Sequence, residues 1–461
     1  MKKKRLVLTA LLALAYIVPS AAQYNYTSVD IDGSTNFTAN NNTIVRKWNS
    51  QYAVCLSGNR LGIFDYSAFL GAPGSTTPTF PAKYMDIPST VTVSDIQILG
   101  DSLYFCGRYS SSSQSNAVIG IIPLDINPLS ATVIDYKHIS HLHSISKMVV
   151  RRMSQYSARV VAIGKTSQSS YNNNCIVSVN NILLANCSYS TLPLASNDYA
   201  DDITLLNNTT ICISGRTATG QSDDIWLRKC SINSVLSSAS TIYTKYTYST
   251  GTIDLNSKLT ATAVDASTIA LTYVGEDANG LPFARVRVFI ISNMENSDSF
   301  EFSIYEKNAP LPVTIQHHLT NNLFILQNYT NHQTGLPCTD LYAVAINNPS
   351  STVPVAKTTF LNRTYSSISE ISYLTKTTLP LSTVMLFSGE KWYLHNSFTV
   401  PFGYIPSYCH NGGTGLSAQP INNLTKQSQT TTGTPYSYTA QNHVGIISRY
   451  SATTTTDCIA Y

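Results

Sequence analysis

One short pattern constrains this chain more than any other: a run of apolar residues that ends in glycine and is followed by a polar or charged side chain. It reads AVCLSG before Asn59, LYFCG before Arg108, VVAIG before Lys165, ICISG before Arg216, LTYVG before Glu276 and VMLFSG before Glu390. Between the fifth and the last of these, NLFILQ runs into Asn328, which stands where the glycine would be. The seven marker positions (58, 107, 164, 215, 275, 328 and 389) are separated by 49, 57, 51, 60, 53 and 61 residues. A period of that length is the mark of a stacked or radial repeat.

Each period divides into strand-length runs rich in Val, Ile, Tyr and Phe, set apart by turn residues. In the second unit these are SDIQIL, LYFCG, AVIGIIPLD and TVIDYKHI; in the fourth, DDITLL, TICISG, DIWLRKCSI and TIYTKYTY. Sustained helical periodicity is missing, and Pro and Gly punctuate the chain throughout. The reading is all-β. Four antiparallel strands per unit, repeated seven times, resemble a seven-bladed β-propeller, with blades near 43–88, 91–139, 143–189, 200–248, 257–306, 312–365 and 368–450. The resemblance is one of architecture, because the Trp-Asp, Gly-Gly and sialidase-type blade signatures are absent. Closure of the seventh blade is expected from YNYTSVDI at 24–31 or HVGIISRY at 443–450. The marker glycine is expected to relieve crowding where the second strand turns or bulges beside the next blade.

The N-terminus sets the expected compartment. Lys2, Lys3, Lys4 and Arg5 precede an apolar run over 6–18, followed by Pro19, Ser20, Ala21 and Ala22. A basic head, an apolar middle too short to span a bilayer and small residues before Gln23 predict a secretory signal peptide over 1–22 and a mature domain over 23–461. The protein is expected to be secreted, periplasmic or extracellular, without a membrane span. Charged residues are only 12 % of the chain and the net charge is +4, too sparse a basic surface for a nucleic-acid partner. Lys147, Arg151 and Arg152 form one basic cluster, read as a solvated strand end.

Nine cysteines in an exported chain suggest disulfides with one thiol left over. Cys175 and Cys187 flank the turn signal at 179–181, and Cys212 and Cys230 flank TATGQSD at 217–223, so each pair is expected to face across a hairpin. Cys409 with Cys458 and Cys55 with Cys106 are further candidates. No CxxC, GxSxG or HExxH occurs. A phosphate loop around Gly164, Lys165 and Thr166 fails because Arg159 stands where a glycine is needed. No cofactor or metal is expected.

Function in such an architecture is expected at the mouth of the channel. Ser94-Asp95-Ile96, Asp201-Asp202-Ile203 and Ser369-Glu370-Ile371 each open a first strand, and His143 stands in the matching region of the third unit. If the units superpose, Asp95, Asp202 and Glu370 converge. Converging acids bind a cation or a sugar, or serve as acid and base in hydrolysis; the alternative is that each caps a strand or bonds a neighbouring blade. Three functions follow: a binding or scaffold module for an extracellular protein or glycan, a polysaccharide-active enzyme (glycoside hydrolase or lyase), or a structural component of a surface assembly. A satisfied set of backbone amides around the acids favours the binding module, and an open pocket between them favours the enzyme.

Overall fold

In the computed structural model, the residues described are 23–30, 43–65, 83–111, 115–127, 134–154, 157–166, 174–180, 182, 187–218, 223–233, 244–249, 259–276, 282–303, 313–318, 322–330, 337–345, 356–361, 363–371, 375–376, 379–395, 408–410, 437–450 and 457–459. The expected signal peptide over 1–22 lies outside them. Among the described residues every element is a strand, and no helix is long and apolar enough to cross a membrane.

Four-stranded antiparallel sheets follow one another along the chain. The first holds Thr43–Lys47, Tyr52–Ser57, Arg60–Asp65 and Lys83–Asp86. The second holds Val91–Leu99, Ser102–Ser110, Ser115–Pro123 and Asp135–Ile139, and the third holds Ser144–Ser154, Ser157–Lys165, Asn174–Asn180 and Ser188–Pro193. The fourth is built from Asp198–Leu205, Thr210–Ala218, Asp223–Ser231 and Thr244–Ser249; the fifth from Thr260–Ala263, Thr268–Glu276, Pro282–Ile290 and Asn293–Ser303. Val313–His318, Asn322–Thr330, Pro337–Ala345 and Ala356–Leu361 make the sixth. In the next, Arg363–Ile371, Leu379–His395 and Ser437–Tyr450 are completed on the outside by the N-terminal strand Gln23–Asp30. Both segments proposed for closure are therefore used, one as third strand and one as fourth.

The first strand of each sheet contacts the first strand of the next, and Arg363–Ile371 contacts Thr43–Lys47. The sheets thus form a closed ring with first strands innermost, which is a β-propeller. Closure leaves no inner sheet edge open for pairing with another chain.

Packing between sheets explains why the apolar-run pattern is so visible. In the first four sheets the second strand is covered on both faces, so it reads as a continuous apolar run rather than an alternating one. In Ser102–Ser110, Leu103 and Phe105 pack toward the first sheet with Val54, Leu56, Leu61 and Ile63, while Tyr104 and Cys106 pack toward the third with Ile145, Val160 and Val177. Burial of each such side chain contributes about 1.5–3 kcal/mol. Outer strands carry far less of this signal; Lys83–Asp86 alternates buried and exposed residues, and Ser188–Pro193 is mostly exposed.

The marker glycines sit in these second strands, but the crowding they relieve is not with the next blade. Opposite Gly107, Gly164, Gly215 and Gly389 the register of the first strand slips by one residue, between Val93 and Asp95, Ile145 and Lys147, Ala200 and Asp202, and Tyr365 and Ser367. At Gly107 and Gly215 the bulge brings a first-strand carbonyl down onto the glycine, whereas a Cβ on Gly164 would meet the Val177 side chain of the third strand at 2.8 Å. A Cβ on Gly107 would lie 1.9 Å from the Thr92 carbonyl oxygen, and one on Gly215 would lie 2.0 Å from that of Tyr199. Gly58 is a different case: it lies beyond Ser57 in a two-residue hairpin turn, with φ 57°. Asn328, in the sixth sheet, instead accepts a hydrogen bond from the Thr339 hydroxyl.

The disulfide expectations are corrected by the same face logic. Cys106, Cys175, Cys187, Cys212 and Cys230 are free thiols. Cys212 stands opposite Lys229, one rung from Cys230, and a one-residue offset puts neighbours on opposite faces; Cys212 packs toward the fifth sheet and Cys230 toward the third. Cys175 pairs with Pro193, at the far end of its hairpin from Cys187. Cys106 faces the third sheet, and Cys55 alternates with Val54 and Leu56, which face the second, so these two point apart. Backbone register does set Cys409 opposite Cys458, in the pair Tyr408–His410 and Asp457–Ile459; their side chains are outside the description.

Substituting Gly107→Ala or Gly215→Ala should lower the unfolding free energy by about 1–3 kcal/mol, as overpacking against fixed backbone does, whereas Gly58→Ala should cost about 1 kcal/mol through its positive φ alone. Guanidinium unfolding midpoints check this. Wild-type midpoints for Gly107→Ala and Gly215→Ala would contradict the bulge.

Candidate functional site

The residue after each bulge is turned toward the next sheet, at the narrow inner side of the ring. In the second, third and fourth sheets that residue is Asp95, Lys147 and Asp202, each opposite the residue just before the marker glycine. In the sheet closed by the N-terminal strand it is Ser367; Glu370 lies three residues further on, opposite Met385. The expected superposition of Glu370 on Asp95 and Asp202 is therefore corrected: they do not share a register position.

Asp95 is 1 % exposed and fully engaged. Its Oδ1 accepts from Arg46 Nη2 at 3.1 Å and from the Ile96 amide at 2.9 Å; its Oδ2 accepts from Gln97 Nε2 at 3.4 Å and from the Met148 amide at 3.2 Å. Arg46 comes from the first sheet and also donates to the Ile96 carbonyl at 3.0 Å. Met148 belongs to the third sheet, so one carboxylate ties three sheets together.

Asp202 repeats the arrangement two sheets on. Its Oδ1 accepts from the Ile203 amide and its Oδ2 from the Ala261 amide of the fifth sheet, both at 2.9 Å. Burial pushes its pKa above the usual carboxylate value, against the pull of Lys147 and of the two amides. For Lys147 the balance is reversed: burial disfavours the ammonium, but Asp95 and Asp202 outweigh it and hold the group above the ordinary lysine value, with Arg46 opposing them. Lys147 was expected on a solvated strand end together with Arg151 and Arg152. It is instead half-buried inside the ring, because the bulge at Ser146 turns it inward.

Arg46, Asp95, Lys147 and Asp202 thus alternate in sign over the first four sheets. This inner collar closes the sheets against one another. Carboxylates that already accept two to four hydrogen bonds have little capacity left to exchange a proton with a substrate. Three of the buried thiols are held protonated and are poor nucleophiles. Burial pushes Cys175 up to about 11 and Cys230 up to about 12, and burial with the Asp95 charge raises Cys106 well above the ordinary value. Among the described residues no cluster of His, Cys, Asp or Glu has the arrangement of a metal site.

A second set of polar groups lies at the end of the second strands, one residue past the marker glycine. Arg216 donates to Asp201 at 3.1 Å and lies over the Tyr199 ring at 5.1 Å. Arg108 Nε donates to Ser115 Oγ at 2.8 Å, and Ser115 Oγ lies 3.3 Å from His143 Nδ1. The His143 amide donates to the Lys165 carbonyl at 2.7 Å. His143 therefore belongs to this outer set, bonded to Ser115 and Lys165 rather than to Asp95 or Asp202. Burial, then the Arg108 and Lys165 charges, lower its pKa. The polar residue after each glycine was visible in the sequence; what sequence reasoning missed was that the fourth sheet places a partner for it, Asp201, in the bulge of the adjacent strand.

No family model and no curated protein matches the chain. Among solved structures it is similar to Drosophila Semaphorin 2a, at 10 % identity with a TM-score of 0.44, over 76 % of this chain and 73 % of that one. It is similar to a neuraminidase-like protein of A/flat-faced bat/Peru, at 9 % identity with a TM-score of 0.39, over 94 % and 95 %. The β-propeller domain of the Trilobed protease from Pyrococcus furiosus is similar at 9 % identity with a TM-score of 0.35, over 66 % and 78 %.

Replacing Lys147 by Met leaves Asp95 and Asp202 without their shared cation and should destabilise the fold at pH 7 by about 1–3 kcal/mol, the penalty of a poorly compensated buried group. The deficit should shrink on acidification, because the folded-state pKa of Asp202 is already raised and a protonated carboxyl no longer needs the cation. Denaturant unfolding of both proteins at pH 7 and pH 4 reads the difference directly. A deficit that grows at pH 4 would contradict the collar.

Proposed function

We propose that the chain is an exported propeller that acts as a binding or scaffold module for an extracellular protein or glycan. The observation that carries this reading is the state of the two carboxylates best placed for hydrolysis. Asp95 and Asp202 hold backbone amides of their own and neighbouring sheets, so they serve the architecture. Arg108, Lys165 and Arg216 stand just past the marker glycines at the ends of second strands, beside the loops of a rigid ring, and such loops are where recognition surfaces are built. Export follows from the basic head and apolar run of 1–22, with the mature propeller beginning at Gln23 and continuing to Tyr461 as one domain. A chain with only 12 % charged residues, rich in Tyr, Ser and Asn, has a composition suited to an adaptable polar recognition surface.

The test uses the mature chain on a glycan array and in a pull-down from extracellular material, with polysaccharide turnover followed in parallel. Saturable binding of one glycan class or one protein, without product formation, is the expected outcome. Release of oligosaccharide or an unsaturated sugar by the purified chain would overturn the reading in favour of an enzyme.

A further inference from the structure

Three successive sheets carry a cation one residue past the marker glycine: Arg108, Lys165 and Arg216. The bulge residue beside each of them decides what that cation does. In the fourth sheet it is Asp201, which is 6 % exposed and neutralises Arg216 at 3.1 Å. In the second and third sheets the bulge residues are Ser94 and Ser146. The carboxylate is replaced by a hydroxyl, and the cation next to it has no acid partner.

The side chains found around Arg108 and Lys165 are neutral or basic. Arg108 uses Nε on Ser115 Oγ at 2.8 Å, and its two terminal nitrogens make no hydrogen bond to the described residues. Lys165 is exposed, and its ammonium has no hydrogen-bond or ion-pair partner among the described residues. Ser115 Oγ, which accepts from Arg108, also lies 3.3 Å from His143 Nδ1, and which of the two donates follows the tautomer of the ring. In the imidazolium form Nε2 carries an N–H. The charges that act on His143 are Arg108 and Lys165, both positive.

We infer that Arg108, Ser115, His143 and Lys165 form a site for an oxyanion, the carboxylate, sulfate or phosphate group of a ligand, at the rim between the second and third sheets. A guanidinium edge, an ammonium and an imidazole N–H supply charge-assisted donors around one place, with no carboxylate to compete for them. The fourth sheet is the internal comparison: the same cation position, given an acid in the bulge, already holds its anion within the chain. The inference deepens the binding reading by giving it a ligand class. It is tested with small anions, so it stands or falls whatever partner the mature chain captures.

The experiment follows the His143 Cε1–H resonance of the mature, histidine-labelled chain, assigned with His143→Gln, during titration with sodium sulfate, inorganic phosphate and sodium acetate against chloride at constant ionic strength. A saturable shift together with a rise in the His143 pKa is expected, because a bound anion offsets the two cations and favours the imidazolium. Saturation by acetate assigns a carboxylate ligand, and saturation by sulfate or phosphate assigns a tetrahedral one. Lys165→Gln, a change at an exposed side chain, should weaken the binding by about tenfold. Ser94→Asp, which keeps both cations but supplies the acid that the fourth sheet has, should weaken it by about the same factor. A linear response equal to that of chloride for all three anions would overturn the inference, and so would wild-type affinity in both variants.

Discussion

The ring depends on how closely its first strands approach one another. Near the axis the sheets converge until there is little room for side chains, and the backbone amides of one sheet face the next. An amide buried there without an acceptor would cost free energy comparable to a lost hydrogen bond. The chain meets this constraint with a bulge, which turns one residue out of the first strand and toward the neighbouring sheet. Where that residue is Asp95 or Asp202, it accepts from an amide on its own strand and from one on the next sheet. The marker glycine is the other half of the device, since only a residue without a Cβ fits beneath the bulged carbonyl.

Placing carboxylates in that position creates a second requirement, for cations. Arg46 at the first sheet pairs with Asp95 of the second, and Lys147 at the third faces the acids of both the second and the fourth. The alternation keeps the inner collar close to neutral, so that buried charge is compensated sheet by sheet rather than by solvent. The same bulge has a different consequence further out. Its extra residue, Ser94, Ser146 or Asp201, lies beside the cation that follows the glycine, and the choice between hydroxyl and carboxylate decides whether that cation remains available. One local irregularity of the backbone thereby governs both closure of the ring and the charge of its rim.

Much of this architecture can be read in the sequence, for a physical reason. Second strands are buried on both faces, and such strands appear as unbroken apolar runs that recur with the sheet repeat. First strands are harder, because a bulge shifts the face of every residue after it and leaves no mark in the residue types. Aligning Ser369-Glu370-Ile371 with Ser94-Asp95-Ile96 matched the letters but missed the slip at Ser366, which makes Ser367 the equivalent residue. Lys147 was read only as part of a basic cluster because its charge is opposite to that of Asp95 and Asp202, and because it stands 17 residues before its marker glycine where they stand 12 and 13 before theirs, so only the strand register aligns the three. The cysteine pairs failed on parity. Cys212 and Cys230 are one rung out of register, and in a sheet one rung is the difference between two faces. The Gly58 turn shows the limit of the repeat itself, since the same letters mark a strand interior in most sheets and a hairpin in the first.

Amide hydrogen exchange at Met148 and Ala261 tests the central claim most directly. Both amides belong to first strands and point at a carboxylate of the preceding sheet in the ring. The account predicts that they exchange only by global unfolding, as slowly as the doubly covered second strands. Exchange within minutes, while the second-strand amides stay protected, would show that the carboxylates do not hold neighbouring sheets together, and the collar would have no part in closing the ring.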